Sequence, residues 1–264
     1  MSEAVERAAV ERWRMHPLCG PATGWPARFW GPEALEPAAW RELAARLEPA
    51  AELAAFVEAL DGARDVLDVG GGTGLLTRTL AARVGAVTVI EPSDEQRAHA
   101  PVLDRVTLRA GRAEALPVGD GAFDAAVATW VLQYCDDPWA AVAELARVAR
   151  THAAIVQAAP DNELVRAYNV AAAVAGLPAA HHGYLLAHAA AMLEARGFAV
   201  TLARVPVALA IDDAAVVADV LVRLHFAAHP ARAAMRAVVE PLVEAAAARR
   251  GALIDDGVLL VARR

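Results

Sequence analysis

A short glycine-rich segment constrains the fold of this chain more than any other feature of its sequence. Residues 66–69 form an apolar run, residues 70–74 read Gly-Gly-Gly-Thr-Gly, and helical periodicity begins at Leu75. A short apolar run predicts a buried strand, and glycine permits a tight turn in which a ligand lies against the backbone. The helix that follows offers unpaired N–H groups to a negatively charged group. The segment therefore predicts a strand–turn–helix unit with a ligand site at the turn.

Strands and helices alternate along the remainder of the chain. Further strands are predicted over residues 86–90, 106–108, 123–128, 153–156, 198–205 and 257–262. Helices are predicted over residues 52–60, 75–84, 138–148 and 185–196, and Ser93 with Gln96 predicts an N-cap. This alternation predicts an α/β fold of Rossmann-like type, with a doubly wound, mostly parallel, seven-stranded sheet covered on both faces.

A second motif follows one strand further along the chain. Glu91 ends the strand 86–90 and lies 23 residues after Asp68. An acidic residue at this point can accept hydrogen bonds from both ribose hydroxyls of a nucleoside cofactor. A dinucleotide fingerprint that starts at Gly70 would need glycine where Leu75 stands, so the motif of NAD-binding proteins fits poorly. Glu91 alone does not choose among nucleoside cofactors.

Four motifs in order make the chain similar to the class I methyltransferases that use S-adenosylmethionine (SAM), in the group with a Glu-Ala-Leu-Pro signature. The matching runs are residues 68–74, residues 89–92, residues 113–117 with 120–124, and residues 131–138 with 145–148. The resemblance covers residues 49–158 firmly and residues 185–205 and 257–263 loosely. It implies SAM as the cofactor.

The resemblance also implies which residues hold SAM: Asp68, Gly70, Gly72, Gly74, Glu91, Pro92, Arg112, Ala113, Glu114 and Thr129. Asp68 either orients the turn or contacts the cofactor's amino group, and Asp124 is expected to be structural. Two positions depart from the family pattern. Arg112 stands where the family often has an aspartate that contacts the adenine amine. Residues 150–152, Arg-Thr-His, replace a Pro-Gly-Gly turn.

Composition divides the chain into four segments. Residues 1–48 carry four of the six tryptophans and five prolines, which predicts short helices that form an N-terminal lid. Residues 49–205 are the predicted SAM-binding core. Residues 206–256, between the last two strands, are predicted to be a helical insertion that caps the acceptor pocket, and residues 257–264 are the last strand.

Charge and cysteine usage argue against several other classes of protein. The net charge of −7 comes with no basic stripe, so no nucleic acid partner is expected. Cys19 and Cys135 match no metal-ligand spacing, so no metal site is expected. The chain has neither an apolar signal core near Met1 nor a run of about 20 apolar residues, which predicts a cytoplasmic protein without a membrane span. A homodimer is compatible with the sequence.

Candidates for the acceptor site come from aromatic and histidine residues. Trp25, Trp30, Trp130 and Tyr134 are candidate substrate-binding residues, with apolar packing as the alternative. Weak candidates for a general base are His16, His181, His182, His225 and Tyr134, because each histidine is more often a surface or packed residue. Trp13 and Trp40 are expected to be core.

These features predict in-line SN2 transfer of a methyl group from SAM to a small-molecule acceptor, a moderately apolar specialised metabolite. Alignment and exclusion of water can supply much of the catalysis, so a base is required only if the acceptor must lose a proton. A peptide or protein methyltransferase and a non-catalytic SAM-binding partner protein remain alternatives. The sequence does not choose among O-, N- and C-methylation.

Overall fold

All seven predicted strands lie in one sheet in the computed structural model, which describes residues 10–19, 35–177 and 184–264. The described strands are β1 (Leu47–Glu48), β2 (Asp65–Val69), β3 (Ala86–Glu91), β4 (Val106–Ala110), β5 (Phe123–Thr129), β6 (Ala149–Ala158), β7 (Ala199–Val205), β8 (Ala208–Ala210), β9 (Ala252–Ile254) and β10 (Gly257–Arg263). The sheet has the order β4-β3-β2-β5-β6-β10-β7. β10 is antiparallel to β6 and β7, and the other pairs are parallel. Strand order reverses between β2 and β5, which is where such sheets open a ligand crevice.

Helices cover both faces of this sheet. They are α1 (Pro37–Ala44), α2 (Ala50–Ala59), α3 (Leu75–Ala81), α4 (Asp94–His99), α5 (Pro138–Val148), α6 (Glu163–Val174), α7 (Tyr184–Ala195), α8 (Ala214–Phe226) and α9 (Arg232–Arg250). Along β6, Ile155 belongs to the core under α5 and α7, while Val156 belongs to the core under α2 and α3. This alternation is the two-residue period of a strand buried on both faces.

Local capping explains where several helices begin. The Ser93 hydroxyl accepts a hydrogen bond from the Gln96 N–H at 3.2 Å, as predicted, and α4 begins at the next residue. Asp137 caps α5 by accepting from the N–H groups of Trp139 and Ala140, each at 3.0 Å. Both caps satisfy N–H groups that have no partner within the helix.

Asp124 is structural, as predicted. Its Oδ2 accepts hydrogen bonds from the N–H groups of Arg64 at 3.0 Å and Asp65 at 3.1 Å, at the start of β2. Arg150 replaces part of the family's glycine turn and donates to Asp124 Oδ1 at 2.7 Å and to the Gly121 carbonyl at 2.9 Å. A side-chain bridge from Arg150 therefore stabilises the start of β5, and residues 150–152, where the family often has a glycine turn, lie within β6.

The insertion 206–256 is less purely helical than predicted. It contains α8 and α9, but also β8 and β9, which form a second antiparallel sheet in the order β1-β8-β9. Strands of two or three residues carry too little periodicity to be found in the sequence. This small sheet joins the insertion to the segment just before α2.

Helix α6 and the packing of residues 10–19 along α7 were not predicted, although short helices were predicted within residues 1–48. Helix α6 follows β6 directly, and its N-cap Asn162 accepts from the Val165 N–H at 2.9 Å. Residues 10–14 are helical, and Val10 packs against Ala191 of α7. The Trp13 Nε1–H donates to Glu194 Oε2 at 2.9 Å. Residues 10–19 therefore lie along α7, with Trp13 packed against the main core as expected.

Candidate active site

One cavity opens at the carboxyl ends of β2, β3 and β5. Its lining combines the glycine turn, the end of β3 and the segment after β5 with side chains of α1, α2 and α6. Val207 and Leu224 of the insertion also line it. The cavity therefore lies at the strand-order reversal, as the fold requires.

The glycine turn exposes its backbone to this cavity. Gly72 has φ +54°, and a Cβ atom built on it would meet nothing closer than Trp40 Nε1 at 3.9 Å. Gly70 has φ +70°, and a Cβ atom there would lie 2.5 Å from Val131 Cγ2. Gly70 is thus required by packing, whereas Gly72 leaves open space for a ligand.

The Glu91 carboxylate links the glycine turn to the end of β3. Its Oε2 accepts from the Gly72 N–H at 3.0 Å, and its Oε1 accepts from the Ser93 N–H at 2.9 Å. Burial raises the pKa of Glu91, while these two backbone bonds lower it. Each carboxylate oxygen has a further lone pair, so the group can accept two more hydrogen bonds from a ligand in the cavity.

Asp68 and Gly74 have structural explanations. Asp68 Oδ2 accepts from the Thr77 hydroxyl at 2.6 Å, which ties the end of β2 to the first turn of α3, and burial raises the pKa of Asp68 to about 6. Asp68 also borders the cavity. Gly74 does not line the cavity; its φ is +82°, and a Cβ atom there would lie 2.4 Å from Pro101 Cδ.

The Glu-Ala-Leu-Pro signature forms a third wall. Glu114 Oε1 accepts from the Asp136 N–H at 2.8 Å, and Arg112 pairs with Asp136 at 3.1 Å. The Leu116 N–H donates to Glu144 of α5 at 2.8 Å. In this way α5 holds the signature segment against the cavity.

The residues after β5 carry two unusual features. The Thr129 hydroxyl is buried and has no hydrogen-bond partner among the described residues. Trp130 has φ +58°, a conformation that costs energy for a residue with a side chain. Strained residues of this kind cluster at ligand sites, and both residues line the cavity.

Two buried carboxyl groups also line the cavity. Glu52 of α2 and Asp255, just before β10, are 4% and 7% exposed. Burial raises the pKa of each to about 7, with the charge of Asp255 adding to the shift on Glu52. The Asn162 side-chain N–H donates to Asp255 Oδ1 at 2.9 Å. Neither carboxyl group was identified in the sequence.

Two tyrosines and a histidine lie beside these carboxyl groups. Tyr134 and Tyr168 line the cavity, and the Tyr134 hydroxyl lies 3.4 Å from His225 Nε2 of α8. The His225 ring packs on Tyr168 with ring centroids 4.8 Å apart. Burial raises the pKa of both tyrosines. The structure thus brings together Tyr134 and His225, two of the weak candidates for a base.

Residues 67–156 match the family model described as a methyltransferase domain. Residues 67–156 therefore have the sequence pattern of a methyltransferase domain. The match extends from β2 to β6, so it includes the glycine turn, Glu91, the signature segment and the residues after β5. SAM is the methyl donor of this family, as the sequence predicted.

Curated proteins are similar in sequence to part of this chain. An uncharacterized methyltransferase of Mycobacterium sp. (strain JLS) is 36% identical over 127 residues, which cover 47% of this chain and 47% of that protein. An uncharacterized 37.1 kDa protein in transposon TN4556 of Streptomyces fradiae is 36% identical over 115 residues, covering 40% of this chain and 33% of that protein. The chain spans about half the length of the Mycobacterium relatives it matches.

Solved structures confirm the fold around the methyltransferase domain. The YcgJ protein from Bacillus subtilis has a TM-score of 0.58 at 17% identity and covers 80% of this chain and 97% of its own. The [4+2]-cyclase SpnF has a TM-score of 0.51 at 21% identity, covering 99% of this chain and 96% of its own. A cyclase within the same fold means that the fold by itself does not decide the reaction.

The methyltransferase domain has a site that fits SAM. The turn at Gly72 leaves its backbone open, Glu91 has acceptor capacity for two hydroxyls, and Thr129 has a buried hydroxyl whose partner is absent from the described residues. Nine of the ten predicted cofactor residues line the cavity, and Gly74 is the exception.

Other predicted site residues have different outcomes. Trp130 and Tyr134 line the cavity, whereas His16 does not and instead accepts from the Leu18 N–H through Nδ1 at 3.2 Å. Trp25, Trp30, His181 and His182 lie outside the described residues. Trp40 packs against a core cluster, as expected, and also lines the cavity from α1.

The described part of the chain contains neither a candidate metal-binding cluster nor a candidate membrane-spanning helix. No cluster of three or more histidine, cysteine or acidic side chains in residues 10–19, 35–177 and 184–264 is arranged to hold a metal ion. None of the helices in those ranges combines the length and hydropathy that crossing a bilayer would require.

Proposed function

We propose that this chain transfers the methyl group of SAM to a small, largely apolar acceptor molecule. The observation that carries the proposal is that one cavity is lined by two different sets of residues. The glycine turn, Glu91 and residues 112–114 form one set. Apolar and aromatic side chains of α1, α2 and α6 form the other. We call the parts of the cavity beside these sets the cofactor half and the acceptor half. A donor and an acceptor can therefore meet without leaving the cavity.

In this proposal the cofactor half holds SAM. The backbone of residues 70–72 contacts the methionine end, and the Glu91 carboxylate accepts both ribose hydroxyls. Ala113, flanked by Arg112 and Glu114, contacts the adenine, with Pro92 on the neighbouring wall. When bound, SAM supplies an electrophilic methyl group on a sulfonium. Thr129 and Asp68 lie where they can contact the rest of the cofactor.

The acceptor half aligns the acceptor and excludes water. Leu43, Leu47, Leu164, Val207 and Leu224 give it apolar walls, and Trp40 and Trp130 add aromatic surface. These apolar walls favour a largely apolar acceptor. Holding the acceptor in line and desolvated accounts for catalysis without a metal ion.

Calorimetry and label transfer test this proposal together. S-adenosylhomocysteine should bind to the protein, and NAD should not. With methyl-labelled SAM, label should pass to a member of a panel of small amines, phenols and carboxylic acids, and not to a panel of unstructured peptides. Binding of NAD instead of S-adenosylhomocysteine, or labelling of the peptides alone, would reject the proposal.

A further inference from the structure

The acceptor half of the cavity is rich in hydrogen-bond acceptors that lack donors. Glu52 Oε2 and Gln133 Oε1 are buried and have no hydrogen-bond partner in the described parts of the chain. The Tyr168 hydroxyl, also buried, is equally without one. All three residues line the cavity together with Asp255. A buried polar atom without a partner is costly, so these atoms indicate a ligand that supplies donors.

Asp255 is electrostatically coupled to three neighbouring groups. Its charge raises the pKa of Glu52, Tyr134 and Tyr168, all of which line the same cavity. Asp256 adds negative charge to Asp255, although Arg204 pairs with Asp256 at 2.7 Å on the far side. A hydrogen bond from Trp130 and one from Asn162 oppose these effects on Glu52 and Asp255.

No cation of the described chain compensates this group from within the cavity. Arg112 is the one basic residue among the described residues that line it, and Arg112 lies on the signature wall, paired with Glu114 and Asp136. A buried carboxylate is stable when a cation pairs with it, and it is otherwise driven towards the neutral form. Among the described residues, the acceptor half therefore has no compensating positive charge.

We propose that the acceptor carries a basic amine, which Glu52, Asp255, Gln133 and Tyr168 bind as an ammonium ion. An ammonium group has three donors and no acceptor, which matches the unpaired acceptor atoms. The amine gives one proton to a carboxylate of the Glu52–Asp255 pair, so that a nitrogen lone pair becomes free and the carboxylate becomes a carboxylic acid. This inference rests on the proposed function and assigns the acceptor class of the same site.

The proposal predicts that an amine binds more tightly than the alcohol of the same shape. The probes are a series of primary amines, from benzylamine to phenylbutylamine, and the corresponding alcohols, titrated into protein saturated with S-adenosylhomocysteine. At least one amine should bind about tenfold or more tightly than its alcohol, because a hydrogen bond to a charged group contributes that much. Calorimetry in two buffers of different ionisation enthalpy should detect protons exchanged on amine binding.

Matched variants locate the effect. Glu52→Gln and Asp255→Asn should each abolish the preference for the amine and leave the affinity for S-adenosylhomocysteine unchanged, which also reports that the variants fold. Tyr168→Phe should weaken amine binding less than Glu52→Gln or Asp255→Asn does. Glu58→Gln is the control, because Glu58 lies on the same helix but is exposed. If D255N fails to fold, E52Q decides the question alone.

Several results overturn the proposal. The first is that no amine in the series binds more tightly than its alcohol, which includes the case in which neither compound binds. The second is that both E52Q and D255N still bind the amine more tightly than the alcohol. If the protein binds S-adenosylhomocysteine but not NAD, the proposed function is still supported. Failure of the amine proposal can therefore be distinguished from failure of the proposed function. Methylation of a phenol but not of any amine would reject the amine while leaving methyl transfer intact.

Discussion

At the scale of single residues, Glu91 has two tasks. It organises the turn through the Gly72 and Ser93 N–H groups and leaves acceptor capacity for a ligand. Glu91→Ala should weaken binding of S-adenosylhomocysteine by about 1.5–3 kcal/mol, the contribution of hydrogen bonds to a charged group. The affinity of Glu91→Gln for S-adenosylhomocysteine should lie between those of the unmodified protein and Glu91→Ala, because glutamine keeps one acceptor oxygen. Calorimetry measures the affinities, and Glu95→Gln, at an exposed position of α4, should change nothing.

Gly72 allows the same kind of test with a matched glycine. Gly72 and Gly62 both have positive φ, and a Cβ atom on either would meet no atom closer than 3.9 Å, but only Gly72 lines the cavity. Alanine at either position should lower the free energy of unfolding by about 1–2 kcal/mol through left-handed strain. Only Gly72→Ala should also reduce affinity for S-adenosylhomocysteine. Equal affinities in the two variants would mean that no ligand approaches this turn.

At the scale of elements, the N-cap of α8 is a purely structural device. Asp213 accepts from the N–H groups of Ala215 at 2.9 Å and Val216 at 3.1 Å. Asp213→Ala should reduce the free energy of unfolding by about 0.5–2 kcal/mol, and Asp213→Asn should restore most of it, because asparagine is also a good N-cap. Urea denaturation measures both. Loss of S-adenosylhomocysteine binding in a folded Asp213→Ala variant would show that α8 contributes to the cofactor half.

The predicted N-terminal lid can also be tested at the scale of elements. Residues 1–48 were predicted to form a lid. The structure places residues 10–19 of this segment along α7, while Leu35, Trp40 and Leu47 of the same segment line the cavity. Hydrogen exchange should therefore show increased protection in α1 when S-adenosylhomocysteine binds. The amides of residues 10–19 serve as the internal control and should be unchanged. The reverse pattern would restore the original prediction for that part of the segment.

At the scale of the whole molecule, buried carboxyl groups link stability to pH. Burial raises the pKa of Glu52 and Asp255 to about 7 and that of Asp68 to about 6, above their values in the unfolded chain. A raised pKa means that the folded state binds more protons, so this contribution is complete below about pH 4 and is lost as pH rises through about 7. The free energy of unfolding of Glu52→Gln should exceed that of the unmodified protein at pH 8, with a smaller difference at pH 4.5.

Urea denaturation at the two pH values checks this prediction, with Glu58→Gln as the control. Asp124 acts in the opposite direction, because hydrogen bonds from Arg150 and from two backbone N–H groups lower its pKa to about 2. Its contribution is present above about pH 4 and is lost as pH falls through about 2, so it does not mask the effect of Glu52. A Glu52→Gln variant that is less stable at pH 8 would mean that the charged carboxylate is favourably paired.

The sequence by itself determined the seven strands, helices α2 to α5 and α7, and most of the residues that line the proposed cofactor half of the cavity. Local patterns of apolar residues, glycine and caps encode these features within short stretches, and Asp68, the glycine turn and Glu91 lie on two successive strands. Such features can be recognised without knowledge of distant contacts.

Only the tertiary structure decided the acceptor half. Glu52 begins α2, Gln133 follows β5, and Asp255 precedes β10, so no local spacing connects them. Each looks like an ordinary polar residue in sequence, and burial against the others gives the group its chemistry. The same reason explains why the small sheet of β1, β8 and β9 and the contact of Trp40 with the cavity were not predicted. Both depend on contacts between segments that are distant in sequence, which a periodic pattern does not contain.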